Sequence, residues 1–247
     1  MNPRSLVKLA WVETKLFTRE PLALLFTLVF PLIVMIVIAG VFASSGGPVF
    51  SGVGGSEYYV AGYVGVVIGS IGLVSLPAHL AAYHERGILR RFRASSIPIW
   101  AVFVTQTIVS LVVAIASSLL LVLVALLFYR FDLPRSFSAV ALGFVVSALG
   151  FLALGLLLAT LSRSARVAQA VGLSLFFPMW LLSGAGPPPG VMPDTMRRVG
   201  DVLPLTHVVR AVQHPWFGLG LPGTDLVYLL VLLLAAGGLT AFFAGRG

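Results

Sequence analysis

The sequence predicts an all-α integral membrane fold, and three observations carry that expectation. Of 247 residues, 59% are apolar and only 10% are charged, with a mean hydropathy of +1.05. A soluble globular chain is about 45–50% apolar and about 25% charged. Six long apolar stretches, at 22–43, 58–82, 99–129, 138–161, 167–186 and 226–244, contain no Asp, Glu, Lys or Arg. A bilayer core of roughly 30 Å needs about 20 helical residues, so each stretch is expected to cross it. Third, the net charge is +8 and the pI about 10.6. In a soluble protein that balance would suggest nucleic-acid binding; with so little polar surface, the basic residues need another explanation. The chain has no cysteine, which excludes disulfides, thiolate catalysis and Cys-based metal sites. The expected organisation is one transmembrane domain over 1–247.

The first element, 4–20, is too polar to span. At helical spacing Arg4, Lys8, Lys15 and Arg19 share one stripe, with Leu6, Leu9, Leu16 and Phe17 opposite. An interfacial amphipathic helix is predicted, its basic stripe against anionic headgroups. Pro21 then turns the chain into the first span. A cleaved signal peptide fits that span poorly, because signal h-regions run to about 15 residues and this one is longer. The loop 44–57 is short and rich in Gly and Ser. In the second span Gly62, Gly65, Gly69 and Gly72 fall on one face, as close helix approach requires. Gly143, Ser147 and Gly150 form a weaker version in the fourth.

The segment 84–98 carries Arg86, Arg90, Arg91 and Arg93 beside Ile88, Leu89 and Phe92. Positive-inside topology alone would not need exposed Leu and Phe; an apolar knob among arginines suits docking of a partner. The third span is longer than a crossing needs, so tilt or protrusion is expected. After the fifth, Pro187-Pro188-Pro189-Gly190 is expected to break the helix. Two short amphipathic helices then follow within 193–217 and should lie at, or dip into, the outer leaflet. The first carries Met196 and Val199. The second is expected to be capped by Thr206 and carries Val209, Val212 and Trp216. The sixth span closes the chain.

Orientation follows from Lys and Arg. With the N-terminus inside, eleven of the sixteen basic residues fall on the inner side, so both termini are expected to be cytoplasmic. Tyr58, Tyr59, Tyr129 and Tyr228 would form an outer interfacial belt, with Tyr83 and Trp100 on the inner side.

Catalytic motifs are missing. No GxxxxGK[ST] phosphate loop occurs, and the apolar stretches hold no carboxylate for an ion or proton relay. His79 reads as a hydrogen-bonded helix-end residue. His79 and His84, and likewise His207 and His214, lack a third ligand at metal spacing. The pattern is that of a pathway energised from elsewhere.

The run Glu85-Arg86-Gly87-Ile88-Leu89-Arg90-Arg91-Phe92-Arg93-Ala94-Ser95 after two spans, then four more spans with Ser183-Gly184, Pro193 and Leu203-Pro204-Leu205-Thr206-His207, resembles the permeases of ABC-2-type exporters. The likeness is nearest to the daunorubicin-type drug-efflux permeases and covers essentially the whole chain. It implies a dimer of six-helix permeases, identical or paralogous, bound to two separately encoded ATPase subunits that hold ATP and Mg. This chain would then be a transport subunit without a cofactor, in a bacterial plasma membrane. The helix after the second span would be the coupling helix. Carried over, Glu85, Arg86, Gly87, Leu89, Arg90 and Arg91, with neighbouring Phe92 and Arg93, would dock in the ATPase, and Arg163 and Arg166 would make a secondary contact. The outer short helices would help close the exit. Ile88 stands where Thr is frequent, and Ser95-Ser96-Ile97-Pro98 is looser than the usual tract. A path without fixed charges suits hydrophobic or amphipathic cargo such as a drug, antibiotic or lipid. An ATPase-binding scaffold or sensor without transport is the alternative, and a secondary transporter fits less well.

Overall fold

The computed structural model describes residues 25–87 and 99–244. The expected interfacial helix with Arg4, Lys8, Lys15 and Arg19 lies outside them, as do Leu89, Arg90, Arg91, Phe92 and Arg93. The described residues are helical, with no strand beyond an isolated bridge between Gly46 and Gly54. A π-turn, Leu25–Val29, leads into α1, Phe30–Val41. The second apolar stretch is α2, Gly55–Ser70, a π-turn, Ile71–Ser75, and α3, Leu76–Glu85. Then come α4, Ile99–Phe128; α5, Phe137–Leu161; α6, Ala165–Leu182; α7, Asp194–Val202; α8, Pro204–Trp216; and α9, Gly223–Ala244.

Five helices among the described residues are long and apolar enough to cross a membrane: Gly55–Tyr83, Trp100–Phe128, Phe137–Leu161, Ala165–Leu182 and Gly223–Ala244. The protein is therefore a multi-pass membrane protein. Of the first expected span, 22–43, the described residues form a shorter apolar helix, Thr27–Val41. α4 has 30 residues and so is about 45 Å long, well over a hydrocarbon thickness.

The α2–α3 helix is the central pillar. Every residue of α2 and of the π-turn after it is buried. Small residues help here, because a neighbouring helix has no side chain to clear on the glycine face of α2. A β-carbon on Gly65 would lie 3.1 Å from Cα of Val209, and one on Gly69 would lie 2.7 Å from Leu205 Cδ1. On Gly62 it would meet Gln213 Nε2 at 3.0 Å, and on Gly72 both Cβ and the carbonyl oxygen of Phe151 at 2.7 Å. Glycine recurs on the other side of the same contacts. A β-carbon on Gly155 would strike the Gly72 carbonyl, and one on Gly172 the Leu73 carbonyl. Thus α5 and α6 lie against the π-turn itself. The π-turns at Leu25–Val29 and Ile71–Ser75 also meet, through a buried hydrogen bond between the Thr27 and Ser75 hydroxyls.

Several sequence expectations need correction. The second and sixth spans each start three residues early, at Gly55 and Gly223, and so take in Glu57 and Asp225, both buried. The statement that the spans lack carboxylates therefore fails at their ends. The fifth helix stops at Leu182, before the proline run, because Gly184 takes a left-handed conformation (φ 87°) just past its end. Tyr58 and Tyr59 do not form an interfacial belt. They are buried in an aromatic cluster with Phe42, Phe50 and Phe217, with neighbouring ring centroids 5.4–6.2 Å apart. Tyr83 is likewise buried, whereas Trp100 is exposed.

The two short helices behave differently from one another. α7 leaves Met196, Val199 and Val202 exposed. α8 does not lie on the surface: Leu205, Val208, Val209, Val212 and Trp216 are buried where it packs on α2, α5 and α9. The glycine face of α2 supplies the groove for it. Nor does Thr206 cap α8, which begins at Pro204; its hydroxyl donates to the Gly200 carbonyl at 2.6 Å.

Candidate functional site

The cytoplasmic docking segment expected at 84–98 is described at its start. α3 ends at Glu85, and Gly87 turns the chain with φ +67°. Glu85 and Arg86 are exposed. Glu85 makes a long-range contact that sequence reading missed. Its Oε2 accepts a hydrogen bond of 3.1 Å from the backbone N–H of Ala165, the first residue of α6. The first N–H groups of a helix have no partner within it, and the helix dipole favours negative charge there. Ser164 completes the cap, its Oγ accepting from Val167 N at 3.3 Å. Arg163 and Arg166, both exposed, flank this point. The structure therefore brings Glu85 beside the Arg163–Arg166 loop. Nearly two turns earlier on α3, His79 is buried, with its Nε2 3.2 Å from the Tyr83 hydroxyl.

The opposite end of the bundle is dense in polar links. Gln213 Nε2 donates to the Tyr58 carbonyl at 3.0 Å, and the Tyr58 hydroxyl donates to the Gly184 carbonyl at 3.0 Å. Trp216 Nε1 donates to the Asp132 carbonyl at 3.1 Å, while Arg135 N donates to the Trp216 carbonyl at 3.1 Å. This pins the loop between α4 and α5 to α8. His207 Nδ1 lies 2.6 Å from Asp225 Oδ1, and its ring stacks on Tyr228 at 3.9 Å. The Tyr228 hydroxyl donates to the Val202 carbonyl at 3.0 Å, and Arg210 pairs with Asp201. Burial pushes the His214 imidazole below its usual value. Among the described residues no group of three His, Cys, Asp or Glu could hold a metal ion.

Sequence reading missed Glu57, Asp225 and the partnership of His207. In the sequence His207 and Asp225 stand eighteen residues apart with nothing to link them. Only the packing of α8 on the first turn of α9 joins the two.

These features define a multi-pass helical membrane domain with an exposed acidic cap at one end and an interlocked polar layer at the other. The family model of the ABC-2 type transporter matches residues 4–217. The chain belongs to the ABC-2 type transporter family, and so is a membrane permease subunit of the ABC transporter class. Among curated proteins none matches the chain.

Proposed function

We propose that this chain is the permease subunit of an ATP-driven exporter of the daunorubicin-type group, moving a hydrophobic or amphipathic molecule out of a bacterial cell. The observation that carries the reading is the family match over residues 4–217. The lack of a phosphate loop in the sequence fits a subunit whose ATP is hydrolysed by a separate partner. The Glu85 end would face the cytoplasm and the α8 end the outside. Two ATPase subunits would dock on two copies of the 84–98 segment, one in each permease of a dimer. Glu85, Arg86, Gly87, Leu89, Arg90, Arg91, Phe92 and Arg93 would form the handle, and Arg163 and Arg166 the secondary contact. Arg4, Lys8, Lys15 and Arg19 would rest on the inner leaflet.

Closure of the ATPases would push on the handle. The Glu85–Ala165 bond gives that push a route into the start of α6, while the carbonyls of Gly72 and Leu73 give it a fulcrum against α5 and α6. Reversing two charges, Arg90→Glu with Arg91→Glu, is expected to abolish co-purification with the partner ATPase. Unchanged association and unchanged ATP turnover would overturn the assignment of the handle. ATP-dependent movement of an amphiphile in proteoliposomes separates an exporter from a scaffold, which would bind the ATPase and move nothing.

A further inference from the structure

We infer that the seam between α2 and α4 holds a binding site for an organic ammonium group carried on an apolar body, with Glu57 as the anion that receives it. The inference deepens the exporter reading and rests on it for the word cargo. Glu57 is only 6% exposed, and its Oε1 is buried with no hydrogen-bond partner. A carboxylate oxygen taken out of water without a partner is unfavourable, and such groups in native proteins call for an explanation. Glu57 lines a cavity of 510 Å³ at the α8 end, together with Ser56, Leu126, Tyr129, Arg130 and Asp132. Glu57 and Asp132 face Arg130 in the lining, and Arg135 acts on Glu57 from just beyond it, yet neither arginine gives Glu57 Oε1 a hydrogen-bond partner.

A second cavity lies on the other side of α4, mainly between α4 and α5, and reaches Val64 of α2. It has a volume of 360 Å³, exposes no polar surface, and is lined by Val64, Ser118, Val122, Phe144 and Trp216 among others. Helical spacing relates the two. Glu57 and Val64 are seven residues apart on α2, which returns to the same face, and Ser118, Val122 and Leu126 follow at steps of four on α4. The acidic vestibule therefore lies about two turns beyond the apolar groove. Ser118 Oγ, in the groove, is also buried without a partner. Trp216 borders the groove and fixes the Asp132 carbonyl at the vestibule, so one side chain frames both.

The chemistry selects the occupant. An ammonium group offers three donors and a compact positive charge, which satisfies a buried carboxylate by charge-assisted hydrogen bonds. A hard metal cation wants six or more oxygen ligands, and this vestibule offers two carboxylates with a guanidinium beside them. The adjoining groove suits an acyl chain or ring system. The amine could belong to a free amphiphile or to the headgroup of phosphatidylethanolamine.

The test uses the full chain in phosphatidylcholine nanodiscs, with dansylcadaverine as probe and its terminal alcohol analogue as the neutral control. The amine is expected to bind about tenfold more tightly than the alcohol or better. Glu57→Gln, which keeps shape and removes charge, is expected to erase that preference. Equal binding of amine and alcohol, or a preference that survives Glu57→Gln, overturns the site. Where Glu57→Gln gives no folded protein, Asp132→Asn in the exposed loop takes its place: a reduced preference supports the site and an unchanged one overturns it. Exchanging phosphatidylcholine for phosphatidylethanolamine distinguishes the sources, since competition marks a lipid headgroup and its absence a free amphiphile. Neither ATPase nor transport enters the measurement. An amine preference in a protein that pumps nothing leaves the site standing and removes the exporter reading; equal binding in a protein that pumps does the reverse.

Discussion

The two ends of the bundle are held together on different terms. At the α8 end, side chains from α2, α8 and α9 reach across to other elements, and most of their partners are backbone carbonyls or buried carboxylates. At the Glu85 end the packing is apolar, through buried Leu80, Tyr83, Val102 and Ala159, and Glu85 adds an exposed carboxylate on the Ala165 N–H. Buried polar pairs favour a single arrangement, because losing one member strands a desolvated partner. An exposed cap carries little energy and can be made and broken in water. The α8 end therefore carries more buried polar constraint than the Glu85 end.

Removing a member of the buried layer should have the largest effect on stability. The side chains of His207 and Asp225 are 13% and 8% exposed. His207→Ala leaves Asp225 without its 2.6 Å partner and Tyr228 without its stacked ring. A hydrogen bond to a charged group contributes about 1.5–3 kcal/mol. An apparent Tm lower by about 5 °C or more in detergent is expected, read by thermal unfolding of the purified protein. Asp225→Asn, which keeps an acceptor, should lose less. A His207→Ala protein that melts with the wild type would show that the α8 end is no tighter than the other.

The middle of the molecule, where both ends meet the π-turn, gives a test of sign. Gly72→Ala puts a methyl group 2.7 Å from both Cβ and the carbonyl of Phe151, neither of which can swing aside. Overpacking of this kind costs about 1–3 kcal/mol. Gly238→Ala, in α9 with nothing within 4 Å of the added carbon, should be neutral or stabilising by up to about 1 kcal/mol. Equal and opposite effects on Tm are not required, but opposite signs are. If both variants behave alike, the glycine contacts around the π-turn are not what sets the packing of the pillar.

Five of the six expected spans were legible in the sequence because hydropathy alone marks them, and the α4 and α5 boundaries differ from the apolar stretches by one residue at most. The errors share a cause. A hydropathy reading stops at the first charged residue, yet α2 and α9 both begin beyond one, at Gly55 and Gly223. The residues excluded by that habit, Glu57 and Asp225, are two carboxylates that matter to the site. The burial of α8 was also beyond reach. Its sequence has polar and apolar positions like those of a surface helix, and only the bare face of Gly62, Gly65 and Gly69 opposite it provides a groove. Glycines in the second span showed that something packs there without showing which element does.

The smallest effect on stability is expected at Glu85, and it should be matched by a large effect on coupling. The carboxylate is exposed, so screening by water limits its worth as a helix cap to about 1 kcal/mol at most. Glu85→Ala should therefore leave the apparent Tm within about 2 °C of the wild type. If the bond from Ala165 N is the route by which a push on 84–98 reaches α6, the same variant should lower permease-stimulated ATP turnover in the reconstituted complex several-fold. Glu85→Gln, which retains an acceptor oxygen, should recover part of it. A structural cap alone would move Tm and turnover together. A docking contact alone would weaken association with the ATPase, which can be read by co-purification. Only a transmission contact lowers turnover while both stability and association hold, and that pattern would confirm that the Glu85 end of the bundle is the end that moves.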